Sequence, residues 1–490
     1  SAFAMALVLI PTGALAADAT YKLTLNGTAE GHTYEAYQIF TGDLSTSGDS
    51  KVLSNVKWGT GVTYKGTETA AEVAEKLANN TMNLSDLEDK LTLTKPVKTV
   101  QSSKDSTVID GLSAGYYLVK DKDGTQKDKG DAYTKFIVQV VGDTTSDIKS
   151  GVPTVTKKVK DTNDSKAGST TDWQDSADYD INDWVPYQIT GTMPSNIADY
   201  TSYKYVFTDT MSKGLTYSST DADHKATIKI GDTDVTKYFT ENVTTNDDGS
   251  TTVTWTCNDL KKAGVTLTAD TKVVVNYSAK LNGNAVIGAA GNPNEVNLTY
   301  SNNPNKGGEG ETGKTPNDKN IVFTYKVTVN KVDQDNKPLS GASFTLYKKG
   351  TDGKYTEVGQ MTADTATQFS FKGLDDGDYE LRETTTPAGY NTMSPIDFTI
   401  AAEHDANSDD PKLTSLTGNK ADGSVFLTAQ QTEDKAYTGE LTADIQNKKG
   451  SVLPSTGGMG TTVLYVAGAA IIVAAGLGLA KRRSAHKDAE

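Results

Sequence analysis

The stretch Phe323–Lys331, FTYKVTVNK, alternates apolar and polar residues along its length. A period of two predicts a β-strand in which every second side chain points to the same face. That face is apolar until its last residue, Lys331, which therefore points toward the prospective core. Because a lone buried charge is costly, a lysine in this position needs a partner from another strand.

Two later strands of the same block supply candidate partners. One row of alternating residues begins at Tyr379 and ends at Glu383, and another begins at Ala443 and ends at Asn447. Both end residues share the face of their apolar neighbours. The block thus directs one lysine, one acid and one asparagine toward its core.

A block closer to the N-terminus repeats this ordered triple. Lys157 lies on one apolar row, Asp209 ends a second row and Asn302 ends a third. Asn294 shares the face of Asn302 and is the alternative for the third position. The same order of lysine, acid and asparagine therefore occurs twice in the chain.

The triple predicts a self-formed Lys–Asn isopeptide bond. Burial lowers the pKa of a lysine and raises that of an acid, so a neutral amine faces the carboxamide while a protonated carboxyl relays protons. Ammonia leaves, and folding supplies the proximity, with effective molarities on the order of 10⁵ M or more. The alternative is that both lysines lie at strand ends and extend to solvent. The predicted pairs, each with its catalytic acid, are Lys157–Asn302 with Asp209 and Lys331–Asn447 with Glu383.

The composition fits an exposed β protein. The 490 residues include 23 Tyr against 11 Phe, and the formal net charge is −15. Such a composition suits β-sandwiches with many turns, and the negative charge disfavours nucleic acid as a partner. Cys257 is the one cysteine, so no intramolecular disulfide can form. The stability of the folded domains must therefore have another source.

Both ends of the chain predict export. Residues 1–10 are mostly apolar, and Ala14-Leu15-Ala16 resembles the cleavage site of a secretory signal peptide whose basic start has been cut off. At the other end, residues 453–458 read LPSTGG, and residues 461–480 are uncharged and long enough to span a membrane. The basic residues 481–483 that follow would hold the end of the chain on the cytoplasmic side.

This C-terminal tail resembles the cell-wall sorting signal of Gram-positive surface proteins. The resemblance implies that a sortase recognises Leu453, Pro454 and Thr456 and cleaves between Thr456 and Gly457. The threonine carbonyl then passes to an amine on the cell wall or on another pilin. The implied location is the cell surface, with a transient membrane anchor before processing.

We predict an all-β fold of three tandem Ig-like β-sandwich domains, followed by a C-terminal transmembrane helix. Helical periodicity is clearest at residues 70–79. The predicted boundaries are 1–17 for a truncated signal peptide, 18–150 for the N-terminal domain, 151–305 for the second domain, 306–319 for a Gly- and Asn-rich linker, 320–450 for the third domain and 451–490 for the sorting signal.

The β blocks resemble the domains of major, or backbone, subunits of sortase-assembled Gram-positive pili. In the third domain the similarity is to the collagen-adhesin B-type (SpaA-like) domain, and it implies that Glu383 is the glutamate of the pilin E-box. The second domain resembles the A-type isopeptide-forming domain. The stretches that carry these resemblances are 329–333 (VNKVD), 338–344 (PLSGASF), 379–390 (YELRETTTPAGY), 207–217 (FTDTMSKGLTY) and 298–302 (LTYSN).

A shaft subunit of that family carries a polymerising lysine between its first two domains, in a motif like Tyr-Pro-Lys-Asn. Lys149 has this position, although no Tyr-Pro precedes it, and Lys158 and Lys160 are the alternatives. The resemblance implies as partners a class C pilus sortase, a housekeeping sortase, other copies of the chain, ancillary pilins and peptidoglycan. A host matrix protein or glycan is a further expected partner.

The leading hypothesis is a shaft subunit of a covalently polymerised pilus that supports adhesion. The alternative is a monomeric wall-anchored adhesin, or an ancillary pilin, that binds host matrix or glycan. The four histidines are scattered, and the sequence shows no metal-spaced His/Cys cluster, phosphate loop or nucleophile elbow. We therefore predict no enzyme, no metal and no cofactor.

Overall fold

The computed structural model describes residues 19–450 except 48, 49, 80, 83, 128, 149, 150 and 309. β-Strands dominate this part of the chain, and two α-helices accompany them. The predicted all-β class is confirmed. The strands form three successive groups, each with its own hydrophobic core.

The first group contains two main sheets and both helices. Its elements are β1 (Thr20–Thr28), β2 (Thr33–Ser47), β3 (Ser50–Trp58), β4 (Val62–Tyr64), α1 (Ala70–Ala78), α2 (Leu84–Lys90), β5 (Leu91–Leu93), β6 (Lys98–Gln101), β7 (Asp105–Ser113), β8 (Gly115–Asp121), β9 (Lys135–Val140) and β10 (Thr144–Asp147). One sheet has the order β10-β1-β7 and the other β3-β2-β8-β9, with β6 on the edge of β2. The predicted helix is present as α1, because Thr69 and Glu72 form a capping box at its start.

The second group is a sandwich of two larger sheets. Its strands are β11 (Val155–Val159), β12 (Ser176–Asp178), β13 (Trp184–Thr192), β14 (Tyr205–Met211), β15 (Leu215–Tyr217), β16 (Thr227–Ile230), β17 (Thr233–Asp234), β18 (Thr240–Thr245), β19 (Thr251–Cys257), β20 (Lys272–Leu281), β21 (Asn292–Ser301), β22 (Thr312–Lys314) and β23 (Asp318–Phe323). One sheet runs β11-β13-β20-β16-β17, and the other runs β12-β23-β21-β14-β19-β18. Alternating buried residues from both sheets meet in one core, as expected for a sandwich.

The third group forms a continuous ten-stranded path around a single core. Its strands are β24 (Tyr325–Val332), β25 (Ser343–Lys349), β26 (Tyr355–Gln360), β27 (Thr362–Ala363), β28 (Gln368–Leu374), β29 (Gly377–Thr385), β30 (Ile396–His404), β31 (Leu413–Asn419), β32 (Val425–Gln431) and β33 (Tyr437–Gln446). The alternating stretch Phe323–Lys331 spans two strands, because Thr324 separates β23 from β24. β24 pairs in parallel with β33, so the first and last strands of this group are neighbours.

The structure corrects the predicted linker at 306–319. β22 and β23 both pair with β21 and extend a sheet of the second domain. Glycine here serves close packing: a Cβ on Gly313 would lie 2.8 Å from the Lys129 carbonyl oxygen of the first domain. Gly313 therefore permits a tight approach of two backbones, a role that composition alone does not distinguish from that of a glycine in a loop.

Among the described residues, no helix has the length and apolarity needed to cross a membrane. The predicted signal peptide, sorting signal and transmembrane helix lie outside the described residues.

Candidate functional site: two buried lysine–acid–asparagine centres

The second domain contains the first centre. Lys157 of β11 donates from Nζ to Asp209 Oδ1 at 2.6 Å and to the Tyr277 hydroxyl at 2.7 Å. The Tyr277 hydroxyl in turn donates to Asp209 Oδ2. Both charged side chains are 0% exposed. The structure therefore brings the predicted lysine and acid into direct contact inside the sandwich.

The asparagine of this centre is Asn294. Its Nδ2 donates to the same Tyr277 hydroxyl at 2.8 Å, and its Oδ1 is buried without a hydrogen-bond partner. One phenol oxygen thus lies between the lysine amine and a carboxamide. In the register of β14 and β21, Asp209 is opposite Val296, two residues from Asn294.

The structure places Asn302, the predicted acceptor, away from Lys157 and Asp209. Its carboxamide donates to the carbonyl oxygens of Gln126 and Asp131 in the first domain, at 2.7 and 3.2 Å. Asn302 lies six residues from the position opposite Asp209, which is about 20 Å along a strand. Parity gives Asn294 and Asn302 the same face, but it carries no information about distance along that face.

Burial governs the protonation of the first centre. Desolvation lowers the pKa of Lys157 and raises that of Asp209, while the attraction between the two groups opposes both shifts. Both net shifts favour a neutral amine beside a protonated carboxyl. Such an amine is a nucleophile, and such a carboxyl is a proton donor.

The third domain contains the second centre, in which the predicted asparagine contacts the predicted acid and the predicted lysine lies on the adjacent strand. Asn447 donates from Nδ2 to both carboxylate oxygens of Glu383, at 2.8 and 3.1 Å. Lys331 donates from Nζ to the Ile445 carbonyl oxygen at 2.8 Å. Lys331 is opposite Ile445 in the parallel pair β24–β33, two residues before Asn447.

The second centre is buried like the first, and its lysine responds to burial in the same way. Lys331, Glu383 and Asn447 are 0%, 9% and 1% exposed. Desolvation lowers the pKa of Lys331, and the nearby charge of Glu383 opposes this shift. Asn447 Oδ1 is buried without a hydrogen-bond partner, as Asn294 Oδ1 is in the first centre.

Sequence reasoning missed two members of the first centre. Tyr277 connects all three of its groups, and Asp318 Oδ2 accepts a hydrogen bond from the Lys157 backbone at 2.6 Å. Tyr277 was detectable, because it carries a hydroxyl on the buried face of β20 between Val275 and Ala279. Asp318 could not be detected from the sequence, because it lies in the segment that was predicted to be a linker.

The structure limits the choice of polymerising lysine. Lys158 pairs with Asp175, and Lys160 Nζ lies 5.2 Å from the ring centroid of Trp173. Lys149 lies outside the described residues. The chain that follows it, residues 152–156, lines a groove of about 440 Å³ to which all three domains contribute.

These features define a class: a modular β protein without disulfides, whose second and third domains each contain a buried lysine, an acid and an asparagine. Three family models match the chain. The SpaA prealbumin-like fold domain matches residues 325–412, and the Cna-B-like domain of Gram-positive pilin backbone subunit 2 matches residues 181–304. The LPXTG cell wall anchor motif matches residues 445–485.

Relatives of similar length agree with these matches. The trypsin-resistant surface T6 protein of Streptococcus pyogenes serotype M6 is 26% identical over 550 aligned positions, which cover 96% of each chain. The solved T6 backbone pilin of that serotype has a TM-score of 0.55 at 20% identity, over 89% of this chain and 100% of that one. The full-length major pilin SpaD of Corynebacterium diphtheriae has a TM-score of 0.50 at 18% identity, over 89% and 99%.

The chain therefore combines a SpaA domain, a Cna-B-like pilin backbone domain and an LPXTG anchor motif, and it is similar to the T6 protein along almost its whole length. It is a shaft subunit of a pilus that is anchored to the cell wall through an LPXTG motif. The anchor and the pilin domains imply processing by a sortase and polymerisation with other pilins.

Proposed function

We propose that each shaft subunit is joined to the next by an amide bond between Thr456 and Lys149. The cysteine of a class C pilus sortase attacks the Thr456 carbonyl, the Thr456–Gly457 bond breaks and a thioester forms. The Lys149 amine of the next subunit attacks this thioester, so that an amide forms and the cysteine is released. A housekeeping sortase transfers the finished polymer to peptidoglycan, and ancillary pilins join through the same chemistry.

The junction of the first two domains supports this choice of lysine. The first domain ends where the Ile148 backbone donates to the Asn26 carbonyl at 2.9 Å. Val152 and Pro153 then begin the groove lined by all three domains. Lys149 lies between these two points in the sequence, whereas the amine of the alternative, Lys158, is paired with Asp175.

The substitution Lys149→Arg tests the acceptor, because arginine keeps the charge but is not a nucleophile at neutral pH. In immunoblots of cell-wall extracts we expect the ladder of SDS-resistant polymers to collapse to the single subunit. Lys158→Arg and Lys160→Arg are the matched controls and should retain the ladder. A full ladder in Lys149→Arg would overturn the assignment, and a single band from the wild-type chain would favour the monomeric adhesin.

We further propose that Lys157 and Asn294 form an isopeptide bond in the second domain. The observation that carries this proposal is the Tyr277 hydroxyl, which contacts both Lys157 Nζ and Asn294 Nδ2. The neutral amine attacks the Asn294 carboxamide carbon, while protonated Asp209 donates to the developing oxyanion. The C–N bond to Nδ2 then breaks, the proton that the Lys157 nitrogen gives up passes to the departing nitrogen, and that nitrogen leaves as ammonia.

The same reaction is proposed between Lys331 and Asn447 in the third domain. Glu383 already accepts from Asn447 Nδ2 through both carboxylate oxygens, so it is placed to take the proton that the Lys331 nitrogen gives up and to pass it to the leaving nitrogen. Because Lys331 is opposite Ile445 on the adjacent strand, the backbone of β33 directs Asn447 toward the amine.

Intact-mass measurement of the full chain tests both bonds. We expect a mass short by two ammonia molecules, with cross-linked peptides that join Lys157 to Asn294 and Lys331 to Asn447. Lys157→Arg and Lys331→Arg should each restore one ammonia. An unchanged full-length mass would refute both bonds, and a peptide that joins Lys157 to Asn302 would refute the assignment of Asn294.

A further inference from the structure

The buried face of β13 carries a tyrosine beside the first isopeptide centre. Tyr187 shares that face with Val185 and Ile189 and is 0% exposed. Its hydroxyl is buried and makes no hydrogen bond of normal geometry. Burying a hydroxyl in this state is costly, so its presence inside the sandwich calls for an interaction that the resting fold does not contain.

Strand pairing places Tyr187 next to the reacting amine. Tyr187 is directly opposite Tyr277 in the antiparallel pair β13–β20, and the two rings stack with their centroids 5.3 Å apart. Lys157 Nζ lies 4.9 Å from the ring centroid of Tyr187 and 5.1 Å from that of Tyr277. Two aromatic rings therefore lie against the amine and help to exclude water from it.

The other reactant also lies beside Tyr187. Burial raises the pKa of the Tyr187 hydroxyl well above its usual value, so the phenol keeps its proton. The Asn294 side chain is close enough to oppose that rise as a hydrogen-bonding neighbour, although the geometry falls short of a full hydrogen bond. Asn294 Oδ1 is itself buried without a partner. A donor without an acceptor and an acceptor without a donor thus lie on neighbouring side chains.

We propose that the Tyr187 hydroxyl is a second oxyanion donor in formation of the Lys157–Asn294 bond, an inference that rests on the reaction proposed above. When Lys157 Nζ attacks the carboxamide carbon, the carbonyl electron pair moves onto Asn294 Oδ1. The Tyr187 hydroxyl donates a hydrogen bond to this oxygen beside the proton of Asp209, and it keeps its own proton. As the C=O bond re-forms, the C–Nδ2 bond breaks, and the nitrogen leaves as ammonia with the proton that Lys157 gives up.

A hydrogen bond that forms only as charge develops lowers the barrier to reaction. Because neither the Tyr187 hydroxyl nor Asn294 Oδ1 has a partner in the resting fold, no existing hydrogen bond is broken to make this one. A hydrogen bond to a charged oxygen is also stronger than one between neutral groups. The two tyrosines therefore differ in role: Tyr277 holds the reactants before attack, whereas Tyr187 stabilises the charge that attack creates.

The substitution Tyr187→Phe tests the proposal, because it keeps the ring beside the amine and removes only the hydroxyl. The full chain is synthesised in a cell-free system with detergent, and translation is then stopped. Mass spectrometry quantifies the peptide that joins Lys157 to Asn294 at intervals afterwards. We expect the variant to form the bond on the order of a hundredfold more slowly than the wild-type chain, the usual effect of removing one oxyanion donor.

Tyr203→Phe is the matched control. Its hydroxyl is also buried in the second domain without a partner, but its titratable neighbours are tyrosines outside the isopeptide centre. The control should form the bond at the wild-type rate. Equal rates in Tyr187→Phe and Tyr203→Phe would overturn the donor role and leave the bond itself in place, whereas absence of the cross-linked peptide from the wild-type chain would refute the bond and the donor together.

Thermal unfolding separates a catalytic hydroxyl from one that supports the fold. The comparison uses Asn294→Ala with and without Tyr187→Phe, because the cross-link cannot form in either chain. We expect equal unfolding temperatures, since the hydroxyl makes no hydrogen bond in the resting fold. A slower reaction together with a lower unfolding temperature in this comparison would assign the hydroxyl to folding and overturn the proposal.

Discussion

At the scale of single residues, one phenol organises the first isopeptide centre. The Tyr277 hydroxyl contacts the lysine amine, the acid and the asparagine amide. Its removal therefore breaks the hydrogen bonds that position these three groups, without removing any reacting atom. We expect Tyr277→Phe to slow formation of the Lys157–Asn294 bond by about tenfold to a hundredfold, since a misplaced reactant costs about that much. Time-resolved intact mass after refolding measures the rate of ammonia loss.

The control for this prediction is Tyr300→Phe. It also removes a buried hydroxyl from the second domain, but this hydroxyl has no hydrogen-bond partner. The control should form the bond at the wild-type rate. Equal rates in the two variants would show that Tyr277 serves only to fill the core.

A second residue-scale feature links stability to pH. Burial alone would lower the pKa of His32, but hydrogen bonds to Asp121 and Asp131, at 2.8 and 3.0 Å, raise the pKa to about 9. A folded pKa above the unfolded value of 6.5 gives stability that is complete below about pH 6.5 and is lost as the pH rises through 9. We expect the free energy of unfolding to fall by on the order of 2–3 kcal/mol over that interval.

Thermal unfolding of the full chain between pH 6 and pH 10 measures this loss. His32→Gln should lower the unfolding temperature at pH 6 and flatten its dependence on pH. His224→Gln is the control, because His224 is partly exposed and stacks on Trp184. If His32→Gln keeps the wild-type dependence on pH, another group is responsible.

At the scale of secondary-structure elements, the alternation of apolar and polar residues predicted well which face of a strand each side chain occupies. It predicted poorly how far along the strand that side chain lies from its partners. Lys157, Asp209, Lys331 and Asn447 all lie on the buried faces that the period of two indicates. Asn302 is buried as well, but the register of β21 against β14 carries it away from Asp209. Register depends on which strands become neighbours, and a single sequence does not encode that in any local pattern.

The same limit explains the other differences between sequence and structure. The pairing of β22 and β23 with β21 converts a glycine-rich segment from a linker into part of a sheet. In the third domain the lysine lies on β24 and the asparagine directly follows β33, the strand paired with β24, so alternation alone was enough to bring these two residues together.

Register also gives a test at the scale of one strand. Asn294→Ala and Asn302→Ala remove buried asparagines from the two ends of β21. We expect Asn294→Ala to abolish the cross-link in the second domain, and Asn302→Ala to retain it while loosening the contact with Gln126 and Asp131. Tandem mass spectrometry of the digested chain detects the cross-linked peptide in each variant. Loss of the cross-link in Asn302→Ala and its retention in Asn294→Ala would identify Asn302 as the acceptor.

At the scale of the whole molecule, the two proposed bonds close long loops in successive domains. The first bond joins β11, the first strand of the second domain, to β21, and the second bond joins β24, the first strand of the third domain, to the residue just after its last strand, β33. By the loop-closure reasoning used for disulfides, a bond across a loop of more than about 100 residues stabilises the fold by about 4–5 kcal/mol. A shaft whose subunits are linked in series needs such closure, because force applied along the pilus would otherwise pull these strands apart.

We therefore expect Asn294→Ala combined with Asn447→Ala to lower the unfolding temperature well beyond the effect of a lost buried amide. Asn297→Ala is the matched control: it removes an asparagine that is 9% exposed on β21, where the side chain contacts Asn317 and takes part in no proposed bond. Calorimetry should show a drop of several degrees in the control and a much larger drop in the double variant. Because a closed loop acts mainly on the unfolded chain, the excess loss should persist when the folded structures of variant and wild type are the same. Equal drops in the two variants would mean that the bonds are not the source of the stability of the shaft.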